Sequence, residues 1–222
     1  MIDSKTEDPM ECQRSICFVM KYHPDSLIGG AEIQSWLLAR TLAQKGWRVH
    51  YVSEYDVPPP WGTLFDGVYI HGLKARPQLT RWGLDAMRCA ALSRILARID
   101  TEVYYQRVAG PYTGIVAHFA KSHHKKFLWA ASQNLNCEKG TGRVESTKRK
   151  RSLLKRACFL PVDYLNDGLY HYGLRNASKV LVQSKEQQTI FKKNFGIDTQ
   201  LVRNGHPVPD HVPEKDHPPI VL

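Results

Sequence analysis

The chain has 222 residues, 42% of them hydrophobic and 23% charged, with a formal net charge of +10. That length and mixture suit one large α/β domain with a sizeable core, and they exclude a fibrous or wholly disordered chain. The surplus of Lys and Arg favours polyanionic partners such as lipid headgroups, sugar nucleotides or nucleic acid, because net charge governs association and not fold.

The opening MIDSKTEDPMECQR has little periodicity and reads as a flexible arm over residues 1–14. It is polar and acidic, unlike a secretory signal, and no apolar run approaches the roughly 20 residues that span a bilayer. Five cysteines, Cys12, Cys17, Cys89, Cys137 and Cys158, are odd in number and never form a C-x-x-C pair. Neither a disulfide framework nor a zinc site is indicated, and a cytoplasmic location is expected.

Ser15 to Tyr22 (SICFVMKY) reads as a buried strand. The loop HPDSLIGG leads into AEIQSWLLARTLAQKG, where Ile33, Leu37, Leu38, Thr41 and Leu42 recur at helical spacing and Gly46 supplies the stop. RVHYVSEY is a second strand. Parallel neighbours need a crossover between them, so this series opens a doubly wound sheet. The breaker-rich DVPPPWG cannot be regular structure, because proline lacks an amide donor. VYIHGL follows as a third strand, and apolar positions from Trp82 to Ile99 predict an amphipathic helix over Thr80 to Ile99. TEVYYQRV is the fourth strand, PYTGIVAHFAKS a helix begun by Pro111, and KKFLWAAS the fifth strand. A polar, then strongly basic stretch runs into LPVDYLNDGLYHYGLRNA, which reads as helical. ASKVLVQS is a sixth strand, KEQQTIFKKNF a helix closed by Gly196, and TQLVRNG a seventh strand. The expected fold is therefore α/β: a Rossmann-like, doubly wound, mainly parallel sheet of about seven strands with helices on both faces. It fills residues 15–206. The proline-rich residues 207–222 read as a linker and the start of a further domain.

Several residues carry candidate chemistry. Gly29 and Gly30, followed by Ala31 and Glu32, sit where a strand-end loop enters a helix. A backbone without Cβ can approach a phosphate there, and the helix terminus offers donors and a favourable dipole. The alternative is that the pair merely permits a tight turn. The pattern G-x-G-x-x-G is absent, which argues against an ordinary dinucleotide enzyme. Open parallel sheets bind ligands outside the carboxyl ends of their strands. That rule selects Gln106 and Arg107, then Ser132, Gln133 and Asn134, then Ser184. Arg107 could equally serve an internal ion pair, Ser132 and Gln133 could cap a loop, and Ser184 could cap its helix. Ten histidines are present, but His118, His123 and His124 lack partners at ligand spacing, so no metal is expected. Lys148, Arg149, Lys150, Arg151, Lys155 and Arg156, interleaved with Leu153 and Leu154, read as a segment for an anionic membrane surface or as a solvated basic stretch.

Four stretches resemble glycosyltransferase family 4, in that family's order: GGAEIQSWLLARTLAQKGWRVHYVS, YYQRVAGPYTGIVAHFAK, KVLVQSKEQQTIFKKNFGI and LVRNG. The resemblance implies one half of a GT-B fold, the N-terminal acceptor-side domain. It implies a nucleotide-sugar donor as co-substrate, no cofactor, transfer with retention, and a sugar or lipid-linked acceptor. It also implies a C-terminal donor-binding domain, in cis or in trans, without which the chain is inactive. Carried over by position, Gly29, Gly30, Ala31 and Glu32 would face the donor diphosphate, and Asn204, Gly205 and His206 would lie at the hinge. Many relatives present a histidine where this chain has Ser132 and Gln133, so no acid-base role is assigned there and the catalytic residues are not named. Peripheral attachment to the inner leaflet is an extension of the same reading. The alternatives are a noncatalytic Rossmann-like binding module and a basic nucleic-acid binder; no nucleic-acid signature accompanies the charge, and none is expected as a partner.

Overall fold

The computed structural model describes residues 14–23, 29–75, 86–107, 109–137 and 153–205. Most of the arm, the first turns of the Thr80–Ile99 helix, Lys148, Arg149, Lys150, Arg151, His206 and the 207–222 linker lie outside these residues.

Apolar strands pair into one sheet of eight strands: β1 (Ser15–Tyr22), β2 (Arg48–Tyr55), β3 (Thr63–Phe65), β4 (Val68–Lys74), β5 (Val103–Arg107), β6 (Lys126–Ala130), β7 (Lys179–Val182) and β8 (Gln200–Leu201). Their order is β3-β4-β2-β1-β5-β6-β7-β8. All pairings are parallel except β3 with β4. The helices are α1 (Gly30–Gln44), α2 (Ala86–Ile99), α3 (Pro111–Ser122), α4 (Leu153–Arg175) and α5 (Lys185–Phe195). Lys155 and Arg156 lie on the backbone of α4.

The strand count exceeds the expected seven because β3 is short and wholly exposed, so it leaves no apolar alternation to read. Its pairing is set instead by a two-residue turn, Asp66-Gly67, in which both residues have positive φ, 50° and 78°. That is the geometry an Asp-Gly hairpin favours. The last strand is shorter than TQLVRNG, only Gln200–Leu201, and pairs with β7 alone.

Right-handed crossovers decide which face each helix covers. From β1 the chain moves one way through α1 to β2, and after β4 it moves the other way through α2, α3, α4 and α5. Accordingly Trp36 and Ala39 of α1 pack with Phe18, Met20, Tyr51 and Ile70 on one face. Leu92 and Leu96 of α2, Val116 and Phe119 of α3, Tyr170 and Leu174 of α4, and Phe191 of α5 pack with Val19, Val52 and Trp129 on the other. Helices α3 and α4 approach closely through two glycines. A Cβ at Gly114 would lie 2.5 Å from the Leu169 carbonyl oxygen, and one at Gly173 would lie 2.6 Å from that of Thr113.

Candidate functional site

Because seven strands run in parallel, their carboxyl ends share one edge of the sheet. The N-terminus of α1 opens onto it. Gly29 is extended, with φ −126° and ψ 152°, and caps the helix without a side-chain hydrogen bond. Its carbonyl accepts from the Ile33 amide at 3.0 Å. The Glu32 carboxylate folds back against Gly29, where a Cβ would collide with its Oε2. At Gly30 a Cβ would meet nothing within 4 Å.

A cleft of about 490 Å³ joins this terminus to the strand ends, lined by Gly30, Glu32, Arg107, Ser132, Gln133 and Asn204 among others. Residues from four separate parts of the sequence thus meet there. A polar network fixes its far wall. Arg107 donates through Nη2 to Asn204 Oδ1 at 2.7 Å, and Asn204 Nδ2 donates to Gln183 Oε1 at 3.1 Å. Gln183 Nε2 in turn donates to the Ala131 carbonyl at 2.7 Å. Arg107 is only 8% exposed, and its Nε has no hydrogen-bond partner. Burial pushes the Tyr105 phenol upward, against the pull of Arg107 with which it shares a hydrogen bond. On the same face as α1, a groove of about 650 Å³ runs from Arg107 and Asn204 along the flank of the helix.

The pleat separates two residues that the sequence placed together. Tyr104 belongs to the core under α2 and α3 while Tyr105 belongs to the core under α1, so Gln106 faces away from Arg107. Gln106 lines neither cavity, and its Oε1 is buried without a partner. Ser184 is committed to the helix: its Oγ accepts from the Gln187 amide at 3.2 Å. Ser132 reaches the cleft, although both its hydroxyl and its amide donate to Asn136 Oδ1, at 2.8 and 3.0 Å. Asn134 Oδ1 accepts from Gln187 Nε2 at 3.2 Å and lines neither cavity. Gly205 borders the groove beside Asn204.

Sequence reasoning missed Gln183, the residue that ties Asn204 to Ala131, just past the end of strand β6. Its signal was available, since it ends the sixth strand one place before Ser184. It missed two further polar pairs. Tyr112 donates to Glu54 Oε1 at 2.6 Å near the same sheet edge. His50 Nδ1 and His71 Nε2 lie 2.9 Å apart in the interior, under Trp61. Burial lowers both histidines to about 4; the His50 shift is deepened by His71 and then Arg48, and that of His71 by Arg98. Among the described residues, no group of three or more His, Cys, Asp or Glu could hold a metal ion. No described helix is long and apolar enough to cross a membrane.

An open parallel sheet whose strand order reverses at β1, with a cleft at its carboxyl edge, defines a Rossmann-like α/β unit. The UDP-GlcNAc 2-epimerase from Methanocaldococcus jannaschii superposes on 86% of this chain and 45% of its own, with a TM-score of 0.50 and 10% identity. Arabidopsis thaliana UGT89C1 complexed with UDP aligns over 89% of this chain and 50% of its own, with a TM-score of 0.49 and 11% identity. Phytolacca americana apo UGT2 aligns over 84% and 50%, with a TM-score of 0.47 and 11% identity. The epimerase match supports the fold assignment: the chain has the architecture of one domain of a GT-B protein. It spans about half the length of these structures. No family model and no curated protein sequence matches the chain.

Proposed function

We propose that this chain is the acceptor-binding N-terminal half of a nucleotide-sugar-dependent glycosyltransferase of family 4, acting with a donor-binding domain in cis or in trans. The observation that supports the reading is the meeting of Gly30 at the start of α1 with Arg107, Ser132, Gln133 and Asn204 on one cleft at the carboxyl edge of the sheet. In the proposed reaction the bond between the donor's anomeric carbon and its diphosphate oxygen breaks, and a bond to an acceptor hydroxyl oxygen forms with retention. The acceptor proton leaves with the diphosphate. The amides at the start of α1 would stabilise the charge that develops on that leaving group. Glu32 must swing off Gly29 for a diphosphate to approach, since two anions at one helix terminus oppose each other. Asn204 and Gly205 would form the hinge, where the polar network couples the linker to Arg107.

The same reading places the protein in the cytoplasm, with the basic residues from Lys148 to Arg156 against an anionic leaflet. Flotation with neutral and anionic vesicles tests that part: binding only to the anionic set is expected, and equal binding to both removes it. The transfer reaction is tested by mixing the full chain with donor-binding GT-B domains and a panel of nucleotide sugars. Turnover is expected only when both parts are present. No turnover with any donor would favour a noncatalytic binding module, and salt-sensitive DNA binding without a nucleotide-sugar response would favour a nucleic-acid role.

A further inference from the structure

The crossovers that stack α2, α3, α4 and α5 on one face leave the opposite face of β5, β6 and β7 flanked by α1 alone among the described residues. The 650 Å³ groove occupies that strip. Its walls include Leu38, Ala130, Leu181 and Val202, and Leu38 is 40% exposed. No Asp or Glu lines it, whereas Arg40, Arg107 and Arg203 do. Arg40 is neutralised by Asp66 at 3.0 Å. Arg107 has no carboxylate partner among the described residues; neutral groups hold it, and its buried Nε is unpaired. A desolvated guanidinium without a countercharge is costly, and a bound anion would repay that cost. Arg203 stands exposed beside Asn204, lining the same groove. Unmatched cationic groups beside an apolar trough complement a molecule with an anionic head and an apolar body.

We propose that this groove binds an anionic amphiphile, its phosphate or carboxylate head on Arg107 and Arg203 and its apolar body along Leu38, Leu181 and Val202. The inference rests on the reading above to the extent that it makes this amphiphile the acceptor: Gln34, Arg107 and Asn204 line both groove and cleft, so a head held by Arg107 sits beside the start of α1.

Calorimetry on the full chain with octyl phosphate, inorganic phosphate and octyl glucoside tests it without any turnover. Octyl phosphate should bind at least about tenfold tighter than either of the others, as expected when charge and apolar burial are both required. Arg107→Gln should weaken octyl phosphate by about tenfold and leave octyl glucoside unchanged. Leu38→Asn, which removes the apolar wall without adding charge, should weaken octyl phosphate while leaving inorganic phosphate unchanged. Should Arg107→Gln fail to fold, Arg203→Gln keeps the test, because that side chain is exposed. Inorganic phosphate binding as tightly as octyl phosphate, octyl glucoside doing so, or indifference to all three substitutions overturns the proposal. The two readings fail separately. Octyl phosphate binding without any transfer sinks only the transferase reading, and transfer to a neutral acceptor that octyl phosphate does not inhibit sinks only this one.

Discussion

At the residue scale, the cleft depends on groups whose neighbours constrain them strongly. Glu32 competes with any anion for the start of α1, so Glu32→Gln should raise the affinity of the full chain for pyrophosphate in equilibrium dialysis; unchanged or weaker binding would exclude the α1 terminus as an anion site. Ser184 serves the helix rather than the ligand. Ser184→Ala should lower unfolding stability by about 1 kcal/mol through loss of the cap, without changing ligand binding. The His50–His71 pair makes stability depend on pH. Both are held near 4 against an ordinary value of 6.5, so the unfolded chain binds more protons between those limits. Stability is fully present above pH 6.5 and falls as the pH drops towards 4, by at most about 1.4 kcal/mol per pH unit for each histidine. Thermal melts of His50→Phe/His71→Phe should show a flatter dependence across that window than the parent; parallel curves would exclude the pair as the cause.

At the element scale, the strands and helices follow from apolar spacing, and where the spacing was strong the expected and observed boundaries agree. Helix α3 begins at Pro111 and ends at Ser122 as its sequence indicates, and α5 ends at Gly196 in the left-handed region, φ 69°. The parallel sheet was legible for the same reason, since each buried run is separated from the next by an amphipathic segment. Strand β3 was not, because its three exposed residues carry no period and only Asp66-Gly67 betrays them. The close approach of α3 and α4 was equally hidden: Gly114 and Gly173 look like weak points in their helices until the partner backbone is placed against them. Gly173→Ala therefore opposes intrinsic helix propensity. It should destabilise by about 1–3 kcal/mol through overpacking against Thr113, although alanine is the better helix former. A gain in melting temperature would contradict the contact.

At the scale of the whole molecule, the site was partly legible. Arg107, Ser132 and Gln133 were selected because they end strands, and they do share a cleft with Gly30 at the start of α1. Gln106 and Ser184 were selected by the same rule and do not, because strand ends alternate between faces and because a hydroxyl before a helix is drawn to the free amides. Gln183 ends a strand as Ser184's neighbour and the same rule could have selected it, but its role as a link between Asn204 and Ala131 is visible only once both partners are placed. The fold is that of one GT-B domain, and the proposed activity depends on the cleft being used.

That use is most directly measured by adding a side chain where the structure leaves room for one. Gly30→Leu projects into open space at the cleft, and Gly168→Leu projects into open space on α4, away from it. Neither variant should lower the parent's melting temperature, and Gly168→Leu should raise it slightly because leucine is the better helix former. In the assay with a donor-binding domain, Gly30→Leu is predicted to lower transfer by at least about tenfold through steric exclusion, whereas Gly168→Leu leaves it unchanged. Equal transfer by the two variants would contradict the assignment of this cleft as the place of reaction.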